Sequence, residues 1–194
     1  MREIFLPFLL GYLFGSFPSA YIISKKIKNI DIRKVGDRNP GARNVYKNVG
    51  KLAGTLTFLI DFSKGFLPIF VFYRIFKKEN LALISGIGSI LGHDFPIFLK
   101  FYGGKSISTI LGILFSLFPF EFIFSIFIFL IFFLLKKHFD QAIALFFVSF
   151  VLILIFEKVD KILIFYVLFI VASIGIKKII DFPRERLRGK LINS

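Results

Sequence analysis

A chain of 194 residues in which 56% of side chains are hydrophobic, with a mean hydropathy of +0.79, carries more apolar surface than a soluble domain of that length can bury. Its formal net charge of +14 sits in loops between apolar runs with few loop aromatics, which argues against a nucleic-acid surface and for attraction to anionic lipid head groups. The absence of cysteine excludes disulfides, thiolate nucleophiles and thiolate metal sites.

Crossing the hydrocarbon core takes about 20 mostly apolar residues per helix. Apolar segments run over 4–23, 52–75, 81–99, 107–118, 120–135, 142–156 and 162–176. They predict an all-α integral membrane protein of about seven transmembrane helices, with 1–194 forming a single polytopic membrane domain. The fourth and fifth segments are short and meet at Pro119 beside Glu121, so a tight hairpin or one broken span are both open, and six spans is the alternative count. The first segment, although signal-like in length, precedes so much further apolar sequence that it is expected to stay as a span.

Basic residues accumulate in short cytoplasmic loops. With seven spans starting outside, 19 of the 26 Lys and Arg fall on the inner side, in 25–51, 100–105, 136–137 and 177–190. This predicts a multi-pass protein of the cytoplasmic membrane with its N-terminus outside, and with the polar loops and C-terminus in the cytoplasm. Both unusual polar stretches, KVGDRNPGARNVYKNVGK at 34–51 and GGKSIST at 103–109, then lie on the cytoplasmic side. Glycine turns that expose amide groups beside a lysine at a helix N-terminus are suited to phosphate, and two such loops suggest two anionic groups, although GGK lacks the spacing of a nucleotide-binding P-loop.

Within the spans, Asp61 and Lys64 stand three residues apart on one helix face, where they can neutralise each other. His93 precedes Asp94 and Pro96, and is either a hydrogen-bonded tie between helices or a proton-handling group. Gly11, Gly15 and Ser19, and likewise Gly88 and Gly92, have small-xxx-small spacing, read as close helix packing.

The strings GDRNPGARNV, DFSKG and GHDFPIFLKFYGGKSIST occur in this order, and with GSFPSA at Gly15 they resemble the bacterial acyl-phosphate:glycerol-3-phosphate acyltransferase family. The resemblance runs through the fourth segment and then thins. It is most specific in GH..P.F..F.GGK, at His93, Pro96, Phe98, Phe101, Gly103, Gly104 and Lys105. It implies seven spans, a cytoplasm-facing site, and transfer of a fatty acyl group from acyl phosphate to the 1-hydroxyl of glycerol 3-phosphate, giving lysophosphatidic acid; no cofactor is expected, and no metal, since no metal-ligand cluster with the usual spacing is visible in the sequence. The partners implied are the two substrates and membrane lipids, with no nucleic acid and no protein partner identified.

The departures are equally specific. In the first loop Asp37 replaces a serine, Arg38 a glycine, Arg43 a threonine and Lys47 an arginine, while Asn39, Gly41, Ala42 and Asn44 match. Ser106 stands where glycine is usual, and Thr109 matches. In KKHFDQAIA, Lys137 and Asp140 are the nearest counterparts of an arginine-serine stretch. In KKIIDFPRERL, Lys177, Lys178, Asp181 and Arg184 stand at an arginine, a histidine, an asparagine and an arginine.

On this resemblance Lys105, with the amides around Gly103 and Gly104, is expected to neutralise one phosphate. Asn44, Lys47 and the turn at Gly41 are expected to hold the other, and Arg43 to add a bidentate contact. Asp140 joins Lys105, Asn44 and Lys47 in the candidate catalytic set, and Asp37, Asn39, Thr109, Lys137, Lys178 and Asp181 join the binding set. Candidate bases are Asp37, Asp140, His93 and the acceptor's own phosphate. Two other classes remain open, a catalytically inactive paralogue that binds lipid or a partner and a small-anion transporter using Asp61, Lys64 and His93.

Overall fold

The computed structural model describes the backbone of residues 2–192 and the side chains of residues 3–183; the side chain of Arg184, a counterpart in the last motif, lies outside the described residues. Nine α-helices account for most of the described chain: α1 (Arg2–Gly15), α2 (Ser19–Lys28), α3 (Ala42–Asn48), α4 (Lys51–Phe70), α5 (Glu79–Asp94), α6 (Ile107–Leu117), α7 (Pro119–Lys136), α8 (Phe139–Phe156) and α9 (Lys161–Ile192). No strand occurs among the described residues. In hydrocarbon every backbone polar group must be satisfied within the chain, and helices do this segment by segment.

All seven expected apolar segments are helical. Six are long and apolar enough to cross a membrane: Glu3–Lys28, Lys51–Ile75, Glu79–Leu99, Pro119–Lys136, Phe139–Phe156 and Lys161–Pro183. The seventh, α6, has 11 residues, a rise of about 16 Å against a hydrocarbon core of about 30 Å. It and α7 are two helices joined at Phe118, and by length and hydropathy the spans number six, the alternative count. The short helix is also deeply enclosed: every residue of α6 except Ile107, Ser108 and Phe115 is buried.

The first span extends to Lys28, beyond the expected end at Ile23, and it is broken. The proline ring at Pro18 cannot supply the N–H that would continue α1, so the chain turns at 16–18 and restarts as α2 at Ser19. Ser19 thereby leaves the packing stripe assigned to it and turns its hydroxyl toward α4.

Gly11 and Gly15 do pack as expected. A methyl group on either would collide with the carbonyls of Ser85 and Ser89, and one on Gly88 or Gly92 with those of Phe8 and Tyr12, so α1 and α5 meet backbone to backbone. The same device joins α4 to α6, where Gly65 lies on the Thr109 carbonyl and Gly112 on the Phe62 carbonyl. Around α6 the main core gathers Ile69, Ile110, Ile113, Leu114, Phe146 and Phe150, with Phe62, Phe66, Phe115 and Phe122 in ring contact beside it. A second, smaller core of Ala20, Ile32, Val45, Val49 and Ala53 seats the first loop on α2 and α4.

Candidate functional site

The first polar loop is built around Asn44. Its amide nitrogen donates to the carbonyls of Ile32 (3.2 Å), Val35 (2.9 Å) and Asn39 (3.0 Å), and its oxygen accepts from Asn48 (2.7 Å). Buried and committed in this way, Asn44 holds the loop's shape. Asp37 accepts from the Asn39 amide at 3.0 Å, a local turn that the short Asp side chain makes readily. Gly41 has extended backbone and precedes α3.

The second polar loop follows α5. A 3-10 turn at Ile97–Leu99 reverses the chain, and the Gly104 amide returns to donate to the His93 carbonyl at 3.1 Å. Gly104 has no side chain because a methyl group there would strike the His93 imidazole, and one on Gly103 would strike the His93 and Asp94 carbonyls. Ser106 starts α6 with left-handed backbone, φ 52°. Its hydroxyl donates to Asp94 at 2.5 Å, with the Ile90 carbonyl at 3.2 Å.

Arg33 fastens the two loops together, a residue that sequence reasoning passed over. It donates to Asp31 through Nε (2.9 Å) and a terminal nitrogen (2.8 Å), reaches the Leu99 carbonyl at 3.4 Å, and lies 5.0 and 5.8 Å from the ring centres of Tyr21 and Tyr102. The hydrogen bonds from Arg33 hold the Asp31 carboxyl below its ordinary value, and the carboxylate in turn raises the guanidinium. The spacing Asp-x-Arg between two tyrosine-bearing segments was the available signal.

Where the loops meet, Pro40, Gly103, Gly104, Lys64, His93, Ser19 and Tyr21 line a cavity of about 230 Å³ including its open mouth. Three of these, Lys64, His93 and Ser19, belong to a buried polar cluster with Asp61 at the cavity wall. Lys64 bonds Asp61 at 2.6 Å, Ser19 donates to the same carboxylate oxygen at 2.5 Å and accepts from Lys64 at 3.1 Å, and Nδ1 of His93 stands 3.8 Å from that oxygen. Asp61 and Lys64 are 1% and 3% exposed, so the loss of either partner would leave a buried charge uncompensated; the second Asp61 oxygen is buried without a hydrogen-bond partner.

Of the residues expected at the site, Gly103, Gly104, Lys64 and His93 border the cavity, and Asn39 and Gly41 flank the Pro40 that does. Lys105 is half-buried one residue beyond. Thr109 is buried and donates to the Asp61 carbonyl at 3.1 Å. Arg43 and Asp140 form an exposed ion pair at 2.5 Å that ties α3 to the start of α8, with Arg43 over the Phe139 ring. Lys47, Lys137 and Lys178 are exposed and absent from the lining. Lys177 is buried instead, bonded to both oxygens of Asp181 at 2.8 and 2.7 Å and lying over Phe95. Among the described residues no three His, Asp or Glu side chains converge as a metal site requires.

A family model for glycerol-3-phosphate acyltransferase matches residues 5–182. Curated glycerol-3-phosphate acyltransferases from Thermotoga petrophila and Aquifex aeolicus are 45% and 38% identical over 109 and 143 residues, which is 56% and 73% of this chain. These matches span the same shares, 56% and 73%, of those relatives' own lengths. A crystal structure of PlsY (YgiH), an integral membrane glycerol 3-phosphate acyltransferase, in its glycerol 3-phosphate form superposes with TM-score 0.82 at 32% identity, covering 96% of this chain and 92% of that one. Its lysophosphatidic acid form gives 0.80. With the family model matched from the first span into the last and the fold shared along nearly its whole length, this chain belongs to the glycerol-3-phosphate acyltransferase family.

Proposed function

We propose that the chain, acting as one membrane domain, transfers a fatty acyl group from acyl phosphate to the 1-hydroxyl of glycerol 3-phosphate, giving lysophosphatidic acid and inorganic phosphate for phospholipid synthesis. The observation that carries this reading is the small cleft formed where Gly103 and Gly104 meet Pro40 of the first loop, with Lys64 and His93 at its wall, at the start of a buried helix inside an apolar bundle. A charged head and a greasy tail fit that arrangement. The solved relatives in glycerol 3-phosphate and lysophosphatidic acid forms support the same acceptor and product here.

Acyl phosphate is a mixed anhydride and already activated. The acceptor oxygen attacks the acyl carbon, the carbon–oxygen bond to phosphate breaks, and phosphate leaves with the electron pair. Positioning and neutralisation of charge are the main help required. Lys105 and the amides near Gly103, at the N-terminal end of α6, are suited to the donor phosphate. Of the three side-chain bases considered, Asp37 is tied to Asn39 and Asp140 to Arg43, whereas His93 borders the cavity, so the proton goes to His93 or to the acceptor's phosphate. An acyl-enzyme is disfavoured, since the chain has no cysteine and the Ser106 hydroxyl is engaged by Asp94. The site faces the cytoplasm and the N-terminus lies outside, on the distribution of basic residues.

In membranes containing the Lys105→Ala protein, acyl-phosphate-dependent product should fall to background; turnover equal to the parent's would remove Lys105 from the site. A second reading, a lipid-binding protein without turnover, is favoured by one observation: four side chains that depart from the family pattern, Arg43 with Asp140 and Lys177 with Asp181, satisfy one another. Binding of palmitoyl phosphate with no transfer to any acceptor would select it.

A further inference from the structure

The buried pair of Asp61 and Lys64 has no direct part in the transfer described above, yet it touches both stems of the 103–105 turn. Before the turn, His93 stands beside the Asp61 carboxylate, and its own carbonyl receives the Gly104 amide while its ring lies against Gly104. After the turn, Thr109 in the first helical residues of α6 donates to the Asp61 carbonyl at 3.1 Å, and Gly65, next to Lys64, lies on the Thr109 carbonyl. Ser19, the restart of the broken first span, completes the cluster from a third side. Asp61, Lys64, Ser19 and Thr109 are each at most 3% exposed, so water cannot compete for these bonds.

We propose that Asp61 and Lys64, with Thr109, are positioning residues: the ion pair holds Asp61 where its carboxylate stands beside His93 on one stem and its main-chain carbonyl receives Thr109 on the other, and so fixes the 103–105 turn that receives the donor's phosphate. The proposal rests on the acyl-phosphate reading. A buried pair that served stability alone would be replaceable by apolar side chains of similar volume without consequence for the ligand.

The test measures binding of palmitoyl phosphate, without acceptor, to the purified protein in lipid nanodiscs, together with the thermal midpoint. Two variants are compared with the parent. Asp61→Leu/Lys64→Met removes both charges at once and leaves neither unpaired. Thr109→Val removes one hydroxyl outside the cavity lining at nearly constant shape, and so separates positioning from any direct contact of Lys64 with the ligand. The expected result is Kd raised at least tenfold in the double variant and at least threefold in Thr109→Val, with the Thr109→Val midpoint close to the parent's. Unchanged Kd in Thr109→Val overturns the proposal whether or not the double variant folds. A parent that binds palmitoyl phosphate but transfers nothing to glycerol 3-phosphate defeats the acyltransferase reading and leaves this comparison intact; a parent that does not bind it defeats both.

Discussion

Ser106 occupies left-handed backbone at the mouth of α6, where a non-glycine residue costs about 1–2 kcal/mol. It is retained by the bond it gives to buried Asp94, which would otherwise lack that partner. Ser106→Ala keeps the strain and loses the bond, so the thermal midpoint in detergent should report a loss of about 1–3 kcal/mol. Ser106→Gly relieves the strain and should be milder; a Gly variant less stable than the Ala variant would contradict the assignment. Asp31 gives a pH-dependent case. Its carboxyl lies below the ordinary 3.8 through Arg33, so the contact stabilises the loop above that value and is lost as pH falls through the lowered one. The midpoint gap between the parent and Asp31→Asn should therefore be constant from about pH 7 to 5 and close below about pH 4. The Asp61–Lys64 pair and the glycine turn at Gly103 and Gly104 were legible in the sequence, because spacing of three on a helix and glycine turns have local causes. It could not show that Asn44 spends its amide inside the loop or that Arg33 reaches Leu99, since both depend on contacts across the fold.

At the scale of elements, the glycine stripes were legible as packing faces because their period is that of the helix. The backbone contact of α4 with α6 was not, since Gly65 has no small residue four positions away and the stripe of Ser108, Gly112 and Ser116 does not say which helix it meets. An alanine for glycine in an ordinary helix interior gains about 1 kcal/mol. Gly112→Ala should instead lose about 1–3 kcal/mol, because its methyl group meets the Phe62 carbonyl, and a raised midpoint would show that α4 and α6 can separate at no cost. The lengths of spans were partly hidden for the same reason of locality. Hydropathy reads 107–118 identically whether the helix crosses or is enclosed, and it reads 4–23 through the proline break that frees Ser19 to meet Asp61.

Across the whole molecule, α7 has Ser125 as its one buried residue and turns Phe120, Phe124, Phe127, Ile131 and Leu134 outward, as a lipid-facing helix must. The absence of native cysteine makes orientation directly measurable. A cysteine at exposed Lys34 should react only with reagent reaching the cytoplasmic side, and one at exposed Lys158 only from the opposite side; the reverse pattern would invert the topology. The central claim is the chemistry, and its direct measure is release of inorganic phosphate from palmitoyl phosphate by the purified protein in lipid, with and without glycerol 3-phosphate. The account predicts release that depends on the acceptor and is matched mole for mole by lysophosphatidic acid. Release that ignores the acceptor, or none above the Lys105→Ala background, would contradict it.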